Sequence, residues 1–387
     1  MSLAKRIQKV TPSMTLAIEA KAKRLKQEGV DIISFSAGEP DFDTPPQVKQ
    51  AAVDALDNGF TKYTPASGTV ELRKAISEKL ARENCLSYTP DQIVVSCGAK
   101  HAIYNALQVL IEEGDEVIIL SPYWLSYPEM VTLAGGTSVI LKTEFKDGYR
   151  PSVKAIEKLV TNKTKLLILN SPSNPTGAVL PKELLTEIGK MAKAHSFFIL
   201  SDEIYEKLIY DGQTHFSIGA SDPQVLERTI TVGGASKAYA MTGWRLGFLA
   251  APKSIAEACA SLQSHSTSNP TSFAQAGYLE ALKSGETDAQ KMRAAFEKRR
   301  DLIVRLVSDI PKLKPFRPGG AFYLFVDISE TKLPSLQFSE RLLEEAKVAV
   351  VPGVAFGDDS AVRISFATSE RLIEAGIARI REWLKKV

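Results

Sequence analysis

Between about residues 90 and 250, short apolar, β-branched runs alternate with longer stretches of helical period. That alternation predicts an α/β domain in which helices cover a mostly parallel sheet. The strand candidates are Gln92 to Ser96, Glu116 to Leu120, Lys165 to Leu169, Phe197 to Leu200, Thr229 to Val232 and Arg245 to Ala250. Between the first two, Ile103, Ala106, Leu107 and Leu110 share one helical face and Gly114 marks the stop, so this stretch reads as one βαβ unit. From Thr287 a charged periodic stretch carrying Met292, Phe296, Leu302, Ile303 and Leu306 predicts a long helix. An α+β segment should follow, with strands at Ala321 to Val326, Val348 to Val351 and Ala361 to Phe366 and turns at Pro318-Gly319 and Pro352-Gly353.

The chemically unusual residues sit just after the predicted strands. Gly98-Ala99-Lys100, Ser121 to Trp124, Asn170 to Asn174, Ser201 to Tyr205 and Gly233 to Lys237 each follow one. Ligands of an open α/β sheet bind outside the carboxyl ends of its strands, so a single mouth can collect all five segments.

Composition narrows the function classes. With 387 residues, 44% hydrophobic and 24% charged, the chain can bury a large core and is long enough for two domains. Its 48 basic and 45 acidic side chains leave a net charge of only +3, so no sequence-wide field favours nucleic acid or an anionic membrane. Cys85, Cys97 and Cys259 are odd in number and widely spaced, which argues against a disulfide framework or a structural zinc site. The basic N-terminus has no secretory apolar core and no run approaches a membrane span, so a cytoplasmic protein is expected. His101, His195, His215 and His265 show no metal-like spacing.

The run Ser236-Lys-Ala-Tyr-Ala-Met-Thr-Gly-Trp-Arg245 resembles the lysine signature of class I aminotransferases, the aspartate aminotransferase family of fold type I enzymes that use pyridoxal 5'-phosphate (PLP). The resemblance runs from near residue 5 to the C-terminus. It implies an N-terminal arm with part of a small domain (1–44), a large PLP-binding domain (45–290) and a C-terminal small domain (291–387). It also implies a homodimer with two shared sites.

Residue by residue, the resemblance assigns roles. Lys237 would bond to the PLP aldehyde and, once displaced by substrate, shuttle a proton between the α-carbon and the cofactor carbon. Asp202 would keep the pyridine nitrogen protonated. Tyr205 and Asn174 would donate to the ring hydroxyl oxygen and lower the basicity of the lysine link. Trp124 would stack on the ring. The Gly98-Ala99-Lys100 helix start, Arg245 and Tyr63 of a neighbouring subunit would hold the phosphate. Many relatives place a serine where this chain has Gly234, so phosphate binding is expected to lean on Ser236 or on backbone amides. Arg363 would grip the substrate α-carboxylate through two parallel hydrogen bonds, with Gly38 closing over it. Each residue also has an ordinary structural use: a surface lysine, a helix-capping Asp202, a core Trp124, an Arg363 in a surface ion pair.

Substrate choice turns on a second cation. Lys100 fits the branch of the family in which a lysine meets the distal carboxylate of an acidic amino acid, so aspartate with 2-oxoglutarate is expected. That branch includes aspartate/prephenate aminotransferases, where a threonine near the N-terminus accompanies the lysine. Thr15 fits by spacing, and equally fits a helix-start residue. Alternatives in the same fold act on alanine, aromatic amino acids or kynurenine, or are aminocyclopropane carboxylate synthases. From another class comes a PLP-binding regulator without turnover. The Gly233-Gly234 pair lacks the GxGxxG spacing of a dinucleotide site.

Overall fold

A computed structural model describes residues 3–12 and 14–387, and at Leu16 the backbone only. The first two residues of the expected N-terminal arm, and Ser13 beside Thr15, lie outside the described residues. The strands in chain order are β1 (Ile33–Ser34), β2 (Ile93–Ser96), β3 (Glu116–Ser121), β4 (Thr137–Lys142), β5 (Thr164–Asn170), β6 (Phe198–Asp202), β7 (Thr229–Gly234), β8 (Gly247–Ala250), β9 (Lys314–Phe316), β10 (Tyr323–Asp327), β11 (Val348–Ala349), β12 (Val351–Pro352) and β13 (Ala361–Ser365). Seven of them form one sheet in the order β2-β8-β7-β6-β5-β3-β4. All its pairings are parallel except those of β8, which runs antiparallel to both β2 and β7.

Near-continuous apolar strands bury both faces of this sheet, as a parallel sheet requires. Along β5, Leu166 and Ile168 pack on one side with the helix Ala99–Leu110, while Leu167 and Leu169 pack on the other with Lys182–His195. Because β8 alone is reversed, the carboxyl ends of β2, β3, β5, β6 and β7 share one rim and β8 starts from that rim.

Two local expectations change. The predicted βαβ unit is not a neighbouring pair: β2 and β3 are separated by four strands, and the helix between them spans the sheet. Helical period and strand length do not encode which strands pair. Arg245 lies outside its strand, at φ +55 before Gly247, because the chain turns through a left-handed residue on entering β8.

The second sheet, ordered β12-β13-β10-β9, is antiparallel and lies after the helix Glu286–Ser308. The predicted strand Val348 to Val351 is divided in two. Val348–Ala349 pairs with Ile33–Ser34, and Val351–Pro352 joins β13. That first pairing ties the N-terminal segment to the C-terminal one. Phe35 is fully buried against the helix Glu370–Leu384, where a Cβ at Gly376 would come within 2.3 Å of its ring.

Glycines let three backbone segments meet at one corner of the rim. A Cβ on Gly247 would lie 2.2 Å from the Ala99 nitrogen, and one on Gly234 would lie 2.8 Å from the Gly247 Cα. The place of the expected serine is therefore closed to any side chain by main-chain packing. Gly247→Ala should destabilise the protein by roughly 1–3 kcal/mol through overpacking, seen as a lower urea midpoint with an unchanged slope.

Candidate active site

The rim opens into a cleft of about 270 Å³. Thirteen of the sequence-predicted positions sit on it or beside it. Thr15, Gly38, Ala99, Lys100, Trp124, Asn174, Asp202, Tyr205, Ser236, Lys237, Arg245 and Arg363 line it, and Gly98 precedes Ala99. Tyr63 does not line it and stands 89% exposed.

Lys237 follows β7 on the short helix Ala235–Ala238. Its ammonium donates to the Gly38 carbonyl oxygen at 2.7 Å. Burial lowers its pKa from 10.5 to about 8, with Glu39 opposing the shift and Arg245 and Arg363 reinforcing it. Asp202 ends β6, is 4% exposed, and accepts hydrogen bonds from the Tyr127 hydroxyl at 2.6 Å and the Ile204 amide at 3.2 Å. Burial raises its carboxyl to about 6 against these two donors. The Lys237 charge also lowers it, and both groups line the cleft.

The Asp202–Tyr205 turn is anchored from behind. Glu203 and Glu206 point away from the cleft into a buried cluster. There Glu203 meets His215 at 2.7 Å and Ser217 at 2.6 Å, and Glu206 meets Lys79 and Asn84. Burial alone would raise Glu206, but Lys79 and His215 outweigh it and hold it at about 2. Sequence reasoning missed this cluster; the acid pair at i and i+3 beside Asp202 was its one visible trace. His215 pairs there with Glu203, and its ring nitrogen and the Glu203 and Glu206 carboxylates lie within 4.8 Å of one another, a grouping that its spacing in the sequence did not show.

Arg363, in the inner strand β13, is 3% exposed. It donates to the Asn174 side-chain oxygen at 2.9 Å and to the Ser36 carbonyl at 3.0 Å. Its guanidinium carbon lies 4.4 Å from the Tyr323 ring centroid and 5.1 Å from that of Phe356, and its Nε has no partner. Desolvation lowers its pKa. Asn174 is itself held by its amide, which donates to the Asn170 side chain at 2.8 Å.

At the opposite end Gly98 has φ +90, a backbone state that strains any other residue, and the space of its missing Cβ is taken by the Arg245 guanidinium 2.4 Å away. Arg245 donates to the Thr242 carbonyl at 2.9 Å and the Cys97 carbonyl at 3.3 Å. Lys100, on the first turn of the helix Ala99–Leu110, donates to the Ser126 hydroxyl at 3.2 Å and lies 4.8 Å from the Trp124 ring centroid. Burial, then Arg245, lowers its pKa. Trp124 meets Tyr127 edge-on at 5.3 Å. Glu19, Ser36, Ser126, Tyr127 and Tyr323 also line the cleft and had no role in the sequence reading. Tyr323 lay inside a recognised strand, but strand alternation cannot say what faces it.

A cleft of this kind, lined by an amine of depressed pKa, a buried carboxylate and cations at both ends, defines a class of protein suited to anionic ligands. The comparisons agree. The model of the family "Aminotransferase class I and II" matches residues 30–380. The chain is 48% identical to an aspartate aminotransferase of Bacillus sp. (strain YM-2), covering 99% of both chains. It is 47% identical to an aspartate/prephenate aminotransferase of Thermus thermophilus over 97% of each. The structure of a Thermus thermophilus aspartate aminotransferase with maleate superposes with a TM-score of 0.96 at 46% identity, over 99% of both chains. The chain belongs to the class I and II aminotransferase family.

Family membership implies PLP as the cofactor. The residues present fit it. Asp202 is a buried acceptor with no ion-pair partner among the described residues, and its chemistry suits a pyridinium N–H. Gly98, Ala99, Ser236 and Arg245 form a cationic, amide-rich corner for a phosphate.

The depressed pKa of Lys237 has a thermodynamic consequence in the cofactor-free protein. The folded state sheds this proton first, so stability rises with pH between about 8 and 10.5. Lys237→Met should lack that rise and should be the more stable of the two below pH 8, which urea midpoints on either side of that value would measure.

Proposed function

We propose that the protein is a PLP-dependent aminotransferase that takes the amino group of L-aspartate and passes it to 2-oxoglutarate by a ping-pong mechanism. The observation that carries this reading is the convergence of Lys237, Asp202 and Arg363 on one cleft, with Lys100 at the far side. Relatives named as aspartate aminotransferases over nearly the full chain support the substrate. The expected arm, large domain and small domain are retained as the frame of this proposal, as is a cytoplasmic location.

Arg363 binds the α-carboxylate, and the flat faces of Tyr323 and Phe356 keep its guanidinium plane in place for a two-bond grip. Lys100 holds the distal carboxylate. Asp202 and Trp124 would hold PLP, which when bound would supply an electron sink conjugated through the substrate amino nitrogen with the α-carbon. Asp202 would keep the ring nitrogen protonated, and Tyr205 and Asn174 would donate to the ring oxygen. Lys237 would then take the proton from the α-carbon and return it to the cofactor carbon on the other side of the amino nitrogen. With a pKa brought down to about 8, its amine has a useful basic fraction near neutral pH. The exposed Tyr63 would reach the phosphate of a second subunit, which makes the active unit a homodimer.

Thr15, in the helix Met14–Gln27, lines the same cleft as Lys100. This placement, and the aspartate/prephenate activity named for relatives, support a second amino acceptor, prephenate, converted to arogenate.

The direct test is a spectrophotometric titration of the purified holoenzyme with aspartate, glutamate, alanine and phenylalanine, then with keto acids including prephenate. Aspartate should change the cofactor spectrum at the lowest concentration; no change with any amino acid would overturn the reading. Lys237→Ala should keep cofactor affinity and lose on the order of a thousandfold or more in turnover. Lys100→Ala should lower kcat/KM for aspartate by roughly tenfold to a hundredfold and leave that for alanine nearly unchanged. Absence of arogenate from prephenate, with either glutamate or aspartate as donor, would remove the second activity alone.

A further inference from the structure

The proposed mechanism uses the ring face of Tyr323 beside Arg363 and leaves its hydroxyl without a task. It is fully buried on β10, and its hydroxyl lies 2.8 Å from that of Tyr205. Strand register explains its second contact. Tyr323 pairs with Ser365 and Phe325 with Arg363, so Tyr323 and Arg363 are diagonal neighbours on one face of the antiparallel pair. This sets the Arg363 guanidinium over the Tyr323 ring at 4.4 Å. One side chain therefore touches two groups with different tasks, carried by different sheets: Tyr205 after β6 and Arg363 on β13.

Counting protons fixes the direction of the phenol pair. Two phenols hold two protons, and either hydroxyl can donate in the open cleft. The one hydrogen-bond partner of the Tyr323 hydroxyl among the described residues is Tyr205. Once Tyr205 gives its own proton to an acceptor in the cleft, Tyr323 must give its proton to the Tyr205 oxygen. A phenol that accepts a hydrogen bond becomes a stronger donor.

We propose that Tyr323 is a positioning residue that strengthens the hydrogen bond Tyr205 makes into the cleft and, through its ring face, holds the carboxylate-binding plane of Arg363. This rests on the aminotransferase reading. Its hydroxyl and its ring therefore have separable effects, the first on the basicity of the Lys237–cofactor link and the second on carboxylate binding. The charged and titratable groups around Lys237 are Glu39, Arg245, Arg363 and Asp202, and those around Tyr205 are Tyr323, Arg363 and Asp202. Removing the Tyr323 hydroxyl leaves all of these charges in place.

The test uses the holoenzyme and two variants. In Tyr323→Phe, absorbance titration should show the pKa of the Lys237–cofactor link raised by about half a unit to one unit, because Tyr205 becomes a weaker donor to the ring oxygen. The affinity for succinate, a dicarboxylate without an amino group, should stay within about twofold by calorimetry because the ring remains. In Tyr323→Leu the same spectroscopic shift should appear, and succinate should bind roughly threefold to tenfold more weakly. A wild-type pKa in Tyr323→Phe, or wild-type succinate affinity in Tyr323→Leu, overturns the proposal. A wild-type holoenzyme that binds PLP without a pH-dependent spectrum or response to amino acids would instead sink the aminotransferase reading.

Discussion

Arg363 is a cation taken almost wholly out of water and given only neutral partners: an amide oxygen, a backbone carbonyl and two aromatic faces. Desolvating a charge costs several kcal/mol, and dipoles and ring faces offset only part of it. The site is thus preorganised around a cation with no carboxylate in hydrogen-bond contact among the described residues, which is what the proposed grip on a substrate carboxylate needs. Holding such a group requires a rigid support. Arg363 sits on β13 between β12 and β10 and cannot retreat to solvent without breaking that sheet.

The same logic governs another part of the cleft. Asp202 and Lys237 are opposite charges that sense each other without pairing directly. Tyr127 engages the carboxylate and the Gly38 carbonyl engages the amine. Each charge is therefore kept available for a molecule placed between them. The Glu203, Glu206, Lys79 and His215 cluster anchors the Asp202–Tyr205 turn through its own ion pairs.

Much of this was legible in the chain. Apolar β-branched runs and the residues that follow them located five strands and the rim, since a parallel sheet must bury both faces and carry its polar chemistry at the carboxyl ends. Motif spacing then singled out Lys237 and Arg245, eight residues apart. Spacing alone did not reveal that Arg245 reaches back across the rim because β8 is reversed, or that main-chain contact with Gly247 closes position 234. Tyr127, Tyr323 and the buried acid cluster were likewise invisible as partners. The two tyrosines take their roles from neighbours more than seventy residues away, Asp202 for Tyr127 and Tyr205 for Tyr323.

By itself the sequence determined the alternation of strand and helix, the absence of a strong overall charge and the presence of one lysine motif, all properties of local pattern and composition. Tertiary structure decided strand order, which hydroxyl meets which carboxylate, and how far burial moves each pKa. Those quantities depend on distance and on exclusion of water, and neither exists until segments remote in the chain are packed against one another.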